Sequence, residues 1–273
     1  MRIPTSENLN SSPDAEVGLI FGGDGSVHRH LAAFVERKVP MLVVPFGSGN
    51  DFAVAVGIRT ANDALAAWKK FLSGGNNTRQ VDLGRITALA EPGAPATYYC
   101  CVAGAGVDSD ANRRANAMPA WLRRNGGYTL AALQAIFGFE PCRITVETSG
   151  GTPHESSQGA RAPLAISEPG WMLAFANAPT YGGGMRIAPS ARLDDGKLDV
   201  CFLRRTGRLS LLRIFPQVFS GKHVTRPEVA YFQATGLRIE TESPLDVYAD
   251  GEYVCRTPVE VTVLPGALRV IVP

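Results

Sequence analysis

A chain of 273 residues with 45% hydrophobic content can bury one large core or two modest ones, and its 29 glycines and 19 prolines suit short strands and turns better than a helical bundle. A formal net charge of +2 without a Lys/Arg block argues against nucleic acid as a partner and leaves room only for a weak pull toward an anionic membrane surface. No stretch reaches the ~20 apolar residues of a membrane span, and residues 1–16 are polar with no apolar signal core, so the expected location is cytoplasmic with peripheral membrane contact. In chain order, residues 1–16 read as unstructured, VGLIF as a short buried strand, and SVHRHLAAFVERK as a helix with Val27, Leu31, Phe34 and Val35 at helical spacing, broken at Pro40. MLVVPF is a second buried strand, GSGND a loop, FAVAVGI a short helix, and ANDALAAWKKFLSGG an amphipathic helix with Leu65, Trp68 and Leu72 on one face.

Beyond residue 80 the texture turns to strands rich in β-branched and aromatic residues. These are QVDLGRITAL, ATYYCCVAGAGV, CRITVETS, GWMLAFANAPT, KLDVCFLRR, LRIETES, LDVYADGEYV, VEVTVLP and LRVIV. YTLAALQAIFGF and SLLRIFPQVFSG interrupt them as helices, and TSGGTPHESSQGARAP reads as a loop insert. The fold class is therefore α/β + β: an α/β part over residues 1–82 and a larger antiparallel β part over 83–273. The five cysteines are scattered without a C-x-x-C pair and read as buried free thiols of a reducing compartment.

Two loops carry chemistry. Gly22-Gly23-Asp24-Gly25-Ser26 joins a strand to a helix, where free backbone N–H groups and the helix end attract an anion such as phosphate. The plain alternative is a turn whose glycines only supply positive φ. A carboxylate at Asp24 would repel a phosphate unless a cation lies between them, which points to Mg²⁺. The second loop, PFGSGNDFA, repeats the design with Ser48, Asn50 and Asp51, although Asp51 alone reads as a helix N-cap. Ligands of open α/β sheets bind at the carboxyl ends of the strands, where both loops stand. Asp250-Gly251 reads as a hairpin turn, with Glu252 a solvated strand residue in the plain reading, and LDDGK likewise as an acidic turn. His28-Arg29-His30 reads as a surface or packing stretch, and YTLAALQAIFGF as core.

These two loops, followed in order by VDLG, CVAGAGVDSDANRR, NAPTYGGGMRIAP, LDDGKLDV and YADGEYV, resemble the diacylglycerol kinase catalytic-domain superfamily, which includes bacterial lipid kinases and sphingosine kinases. Ser26 and Ser48 stand where that family usually carries threonine, and both keep the hydroxyl. The resemblance implies a small nucleotide-binding domain before a β-sandwich-like domain, with ATP as phosphate donor and Mg²⁺ as cofactor. Gly22 to Ser26 with Val27 and His28 would cradle the phosphates, and Ser48 would serve the second nucleotide loop. Asp24, Asp51 and Asp82 would form a magnesium- and water-linked network. Arg192 and Lys197 (through carbonyls) and Asp195 would hold a structural metal, and Glu252 would be the general base. The implied acceptor is a membrane-derived lipid, diacylglycerol or a related glycerolipid.

Two other functions stay open. NAD kinases and phosphofructokinases also carry a GGDG loop, so a soluble acceptor is one. A non-catalytic nucleotide- or lipid-binding remnant is the other, because family members place a further strand, helix and strand before the first glycine loop and only about twenty residues precede Gly22 here. The α/β domain is thus expected to be incomplete, with an upstream segment or a partner chain, such as a second copy in a homodimer, completing the sheet.

Overall fold

The computed structural model describes residues 16–119, 128–150, 152–153 and 165–273. Strands β1 (Gly18–Gly22) and β2 (Met41–Pro45) run parallel, with Gly18 opposite Met41 and Gly22 opposite Pro45. Their unbroken apolar runs suit strands covered on both faces, and Leu19, Ile20, Leu42 and Val43 are buried. Helix α1 (Asp24–Arg37) lays Val27, Leu31 and Phe34 into this core at helical spacing and stops at Lys38, which is left-handed at φ 55°. A short helix α2 (Asp51–Ala55) follows β2. Helix α3 (Ala61–Leu72) opens with a capping box in which the Asp63 N–H donates to Thr60 Oγ1 and the Thr60 N–H donates to Asp63.

The expected face of α3 is corrected. Leu65 and Leu72 are 50% and 54% exposed, and the buried stripe is Ala64 and Ala67 with Trp68 and Phe71 packed beside them. Positions 64, 67, 68 and 71 form one helical face, and two alanines let the helix backbone sit close to β2.

The remainder is strands β3 (Thr78–Ala88), β4 (Thr97–Tyr99) and β5 (Val102–Gly106), helices α4 (Val107–Asn116) and α5 (Tyr128–Gly138), and strands β6 (Cys142–Ser149), β7 (Thr152–Pro153), β8 (Ala165–Ala176) and β9 (Leu198–Arg204). Helix α6 (Arg208–Ile214), two 3₁₀ helices (Phe215–Ser220 and Lys222–Thr225) and strands β10 (Val229–Ala234), β11 (Gly236–Thr241), β12 (Asp246–Ala249), β13 (Glu252–Arg256) and β14 (Val259–Ile271) follow among the described residues. A small α/β layer followed by a larger sheet-rich domain is the architecture the sequence implies. In β8, Leu173 and Phe175 enter one hydrophobic cluster while Met172, Ala174 and Ala176 enter the other; in β9, Val200 and Phe202 oppose Cys201 and Leu203 in the same way. This period of two places one core between packed strands and the second beneath the helices.

Strands β3 and β14 bind the two layers. They pair antiparallel from Val259–Ala88 to Ile271–Thr78, and Val270 of β14 also pairs parallel with Met41 of β2. The boundary near residue 83 lies inside β3, whose Val81 and Leu83 join one core and whose Ile86 joins the other. VEVTVLP and LRVIV, expected as two strands, form the single strand β14, with a bulge between Leu264 and Leu268 that Gly266 at φ 60° accommodates. ATYYCCVAGAGV, expected as one strand, is broken at Cys100–Cys101. All five cysteines are free thiols. The segment 1–15 and most of the predicted insert at 148–163 lie outside the described residues.

Candidate active site

The two glycine loops leave adjacent parallel strands and touch through bare backbone. A Cβ on Gly23 would stand 2.8 Å from Gly47 Cα, and a Cβ on Gly47 would collide with Gly23 Cα. The ladder continues past β1, with the Phe46 N–H donating to the Gly22 carbonyl at 3.0 Å. Asn50, left-handed at φ 60°, locks the second loop: its Oδ1 accepts from the Gly47 N–H and its Nδ2 donates to the Gly47 carbonyl, both at 2.8 Å. The Asp24 and Gly25 amides open α1, a helix of 14 residues, and have no intrahelical acceptor, so they add a partial positive charge to the loop.

The carboxylates stitch these loops together. Asp24 accepts from the Asp51 and Phe52 amides, each at 3.0 Å, and so caps α2 from the opposite loop. Asp51 is therefore no N-cap: it is the first residue of α2, 4% exposed, and its carboxylate accepts from the Gly183 and Gly184 amides at 2.9 and 3.2 Å. Those amides belong to a tight glycine turn closed by mutual Tyr181 and Met185 backbone hydrogen bonds. Burial pushes the Asp24 carboxyl up to about 6; the Phe52 and Asp51 amides pull it down and the Asp51 and Asp250 charges push it further up. A divalent cation at Asp24 and Asp51 would offset this crowded negative charge, so the donor set fits Mg²⁺.

Glu252 closes the arrangement. Asp250 (φ 51°) and Gly251 (φ 86°) turn the chain between β12 and β13, as the D-G dipeptide predicts. The exposed Glu252 reaches over α1, where a Cβ on Gly25 would stand 2.5 Å from its Oε1. From α4, Asn116 Nδ2 donates to the Gly251 carbonyl at 3.0 Å. The result is a polar cleft of about 650 Å³ between the layers, with Gly23 to Ser26, Gly47 to Gly49, Asp51 and Glu252 in its walls.

Other predicted positions lie elsewhere. Gly22 packs against Ser26, and Val27 belongs to the core at 1% exposure, because it falls on the buried stripe of α1. His28 points to Asp250. Asp82, 3% exposed, is not part of the cleft wall; its two oxygens accept from the Gly196 and Gly266 amides at 2.7 Å, tying β3 to the LDDGK turn and the β14 bulge. At that turn Asp195 accepts from the Lys197 amide at 3.1 Å and from Gln233 Nε2 at 3.3 Å, and burial together with the nearby Asp82 charge raises its carboxyl. A cation beside Asp195 would relieve that pair. The Arg192 side chain is exposed and turned to Asp194.

Sequence reasoning passed over Asp250. Its fully buried carboxylate accepts from the Cys100, Cys101 and Val102 amides at 2.9, 2.8 and 3.3 Å, which explains the break between β4 and β5. Burial pushes the adjacent Cys100 thiol up to about 12, which keeps it protonated and non-nucleophilic at neutral pH. The signal for Asp250 lay in the YADGE block, read only for its turn.

A second, apolar recess of about 60 Å³ lies between α4, α5 and α6 and shares Tyr181 and Met185 with the polar cleft. Helix α5, expected as core, supplies Ala132 and Ile136 to it. Among the described residues Asp108 is its one carboxylate, 8% exposed, accepting from the Ser109 amide at 2.9 Å; burial pushes it up to about 7. Its folded value exceeds its unfolded one, so folding takes up a proton, and the stability associated with that proton is lost as pH rises from about 4 to about 7. The loss is up to about 4 kcal/mol. Urea midpoints at pH 5 and pH 8 should show a decline in the wild type that Asp108→Asn flattens; an equal decline in both would refute the assignment.

Residues 9–86 match the diacylglycerol kinase catalytic domain, and residues 101–272 match the YegS C-terminal NAD kinase beta sandwich-like domain. The chain is 32% identical over 255 residues to the diacylglycerol kinase of Mycobacterium tuberculosis (strain ATCC 25618 / H37Rv), covering 93% of this chain and 76% of that protein. The crystal structure of a diacylglycerol kinase from Bacillus anthracis str. Sterne superposes with a TM-score of 0.65 at 15% identity, over 100% of this chain and 83% of that one. Yeast NADH kinase shares the fold at a TM-score of 0.51 and 8% identity, over 95% and 62%. With both glycine loops inside one match and the Glu252 turn inside the other, the chain belongs to the bacterial diacylglycerol kinase family of lipid kinases.

Proposed function

We propose that this kinase moves the γ-phosphate of ATP, with Mg²⁺, onto the hydroxyl of diacylglycerol or a related membrane glycerolipid. The observation that carries the reading is the shared wall of Tyr181 and Met185 between the polar cleft and the apolar recess. The recess has room for only a short part of a chain, so a lipid would seat that part there, leave the rest in the bilayer and present its polar end on the side of Glu252. The amides of Gly23 to Gly25 and the hydroxyls of Ser26 and Ser48 would hold the phosphates, and Glu252 would take the hydroxyl proton as the new P–O bond forms. Asp24 and Asp51 would hold the cation at the phosphates, where it supplies charge neutralisation; Asp195 with the Arg192 and Lys197 carbonyls would hold a structural one.

Contact with the bilayer would be peripheral. Among the described residues no helix is long and apolar enough to cross a membrane. Helix α5 buries Ala131, Ala132, Ala135 and Ile136 while leaving Leu130, Leu133 and Phe137 36–61% exposed at i, i+3 and i+7. That stripe, with Leu209 of α6 at 73%, would rest on the lipid surface beside the recess. The test is transfer of label from γ-³²P-ATP and Mg²⁺ to diacylglycerol in mixed micelles, with NAD⁺ in parallel. Label in phosphatidate is expected; label on NAD⁺ alone would overturn the lipid reading.

A further inference from the structure

Two contacts cross the cleft side by side. Gly25 and His28, three residues apart on one face of α1, meet Glu252 and Asp250 of the same turn. His28 Nδ1 lies 3.2 Å from Asp250 Oδ2, and the two side chains are 10% and 0% exposed. Asp250 Oδ1 faces two backbone amides, those of Cys101 and Val102, while Oδ2 faces the Cys100 amide and His28. The amides belong to the β domain, so His28 ties Asp250 to the nucleotide layer. With Asp250 and Gly251 both at positive φ, the carboxylate fixes the direction in which Glu252 leaves the turn.

We infer that His28 is a positioning residue: Nδ1–H donates to Asp250 across the cleft, and this bond holds the Glu252 carboxylate above Gly25. The bond requires a proton on Nδ1, the ring nitrogen that faces the carboxylate. Without it the turn stays folded on its three amides while its distance from α1 is no longer set. The inference rests on the reading of Glu252 as the base of phosphoryl transfer.

His28→Ala should lower kcat about 100-fold, the scale of a small misplacement of a reacting group, with the KM for ATP nearly unchanged; the lost buried hydrogen bond also lowers the melting temperature, so kcat is read well below it. His28→Asn, whose Nδ2 can donate from a similar place, should restore most of the activity. In a Glu252→Gln background His28→Ala should add no further loss, because both changes remove the same function. Wild-type kcat in His28→Ala, or a loss that multiplies with that of Glu252→Gln, would overturn the inference and leave the base reading intact. A silent Glu252→Gln would overturn the base reading and this inference with it. A readout independent of variant folding is the imidazole ¹⁵N spectrum of the wild type at pH 8: a proton on Nδ1 of His28 supports the bond, and one on Nε2 alone refutes it.

Discussion

Gly23→Ala should weaken nucleotide binding at least ~100-fold, the scale expected when a binding group shifts by about 1 Å. Gly23 has φ −108° and ψ −166°, an extended conformation open to alanine, so the penalty is purely one of space. The new methyl would lie 2.8 Å from Gly47 Cα, which is backbone and cannot rotate away. Relief requires the ends of β1 and β2 to separate, carrying the Asp24 and Gly25 amides away from Ser48. The overpacking itself should cost about 1–3 kcal/mol of stability. Gly25→Ala is the contrast: its methyl meets Glu252 Oε1 at 2.5 Å, the tip of a flexible side chain that can swing aside. Stability and ATP affinity should survive there while turnover falls. Calorimetric titration of ATP into both variants checks this; wild-type affinity in Gly23→Ala would mean the touching loops do not form the phosphate site.

Glu252→Gln should lower kcat by about 10²–10⁴-fold, the usual contribution of a general base, with little change in melting temperature or in the KM for ATP. The side chain is exposed, so its replacement removes no buried interaction. The amide keeps the shape and loses the lone-pair basicity, which separates proton acceptance from packing. The turn that presents it is held by Asp250 and by Asn116, so a glutamine at 252 inherits the same position. Single-turnover measurements on the lipid acceptor separate chemistry from product release. A kcat within a few-fold of wild type would remove Glu252 from the chemistry.

The glycine loops were legible because their requirement is local: strand, bare backbone and helix start lie within a few residues. Glu252 was legible through its turn and its family block. Asp250 was not, because its amide partners lie 148–150 residues away and no periodicity encodes them. Asp82 was placed with Asp24 and Asp51 on family likeness, whereas its partners, Gly196 and Gly266, draw it toward the β14 bulge. Strand β10 was missed because VAYFQA carries no turn signal of its own and is set by pairing with β9 and β7. Helix α4 was missed for the opposite reason: VDSDANRRAN is too polar to show a clear apolar stripe, yet Val107, Ala111 and Ala115 are buried and the helix packs mostly on α5. The exposed leucines of α3 misled because hydrophobic size and burial part company where a helix must approach a sheet closely.

If two touching glycine loops and the turn bearing Glu252 form one phosphoryl-transfer site, a crystal structure with Mg²⁺ and a non-hydrolysable ATP analogue should show it. Phosphates are expected against the amides of Gly23 to Gly25 and the hydroxyl of Ser48, a cation at Asp24 and Asp51, and the Glu252 carboxylate facing the terminal phosphate across an open acceptor position. Phosphates bound elsewhere, with both loops facing solvent, would rule the shared site out.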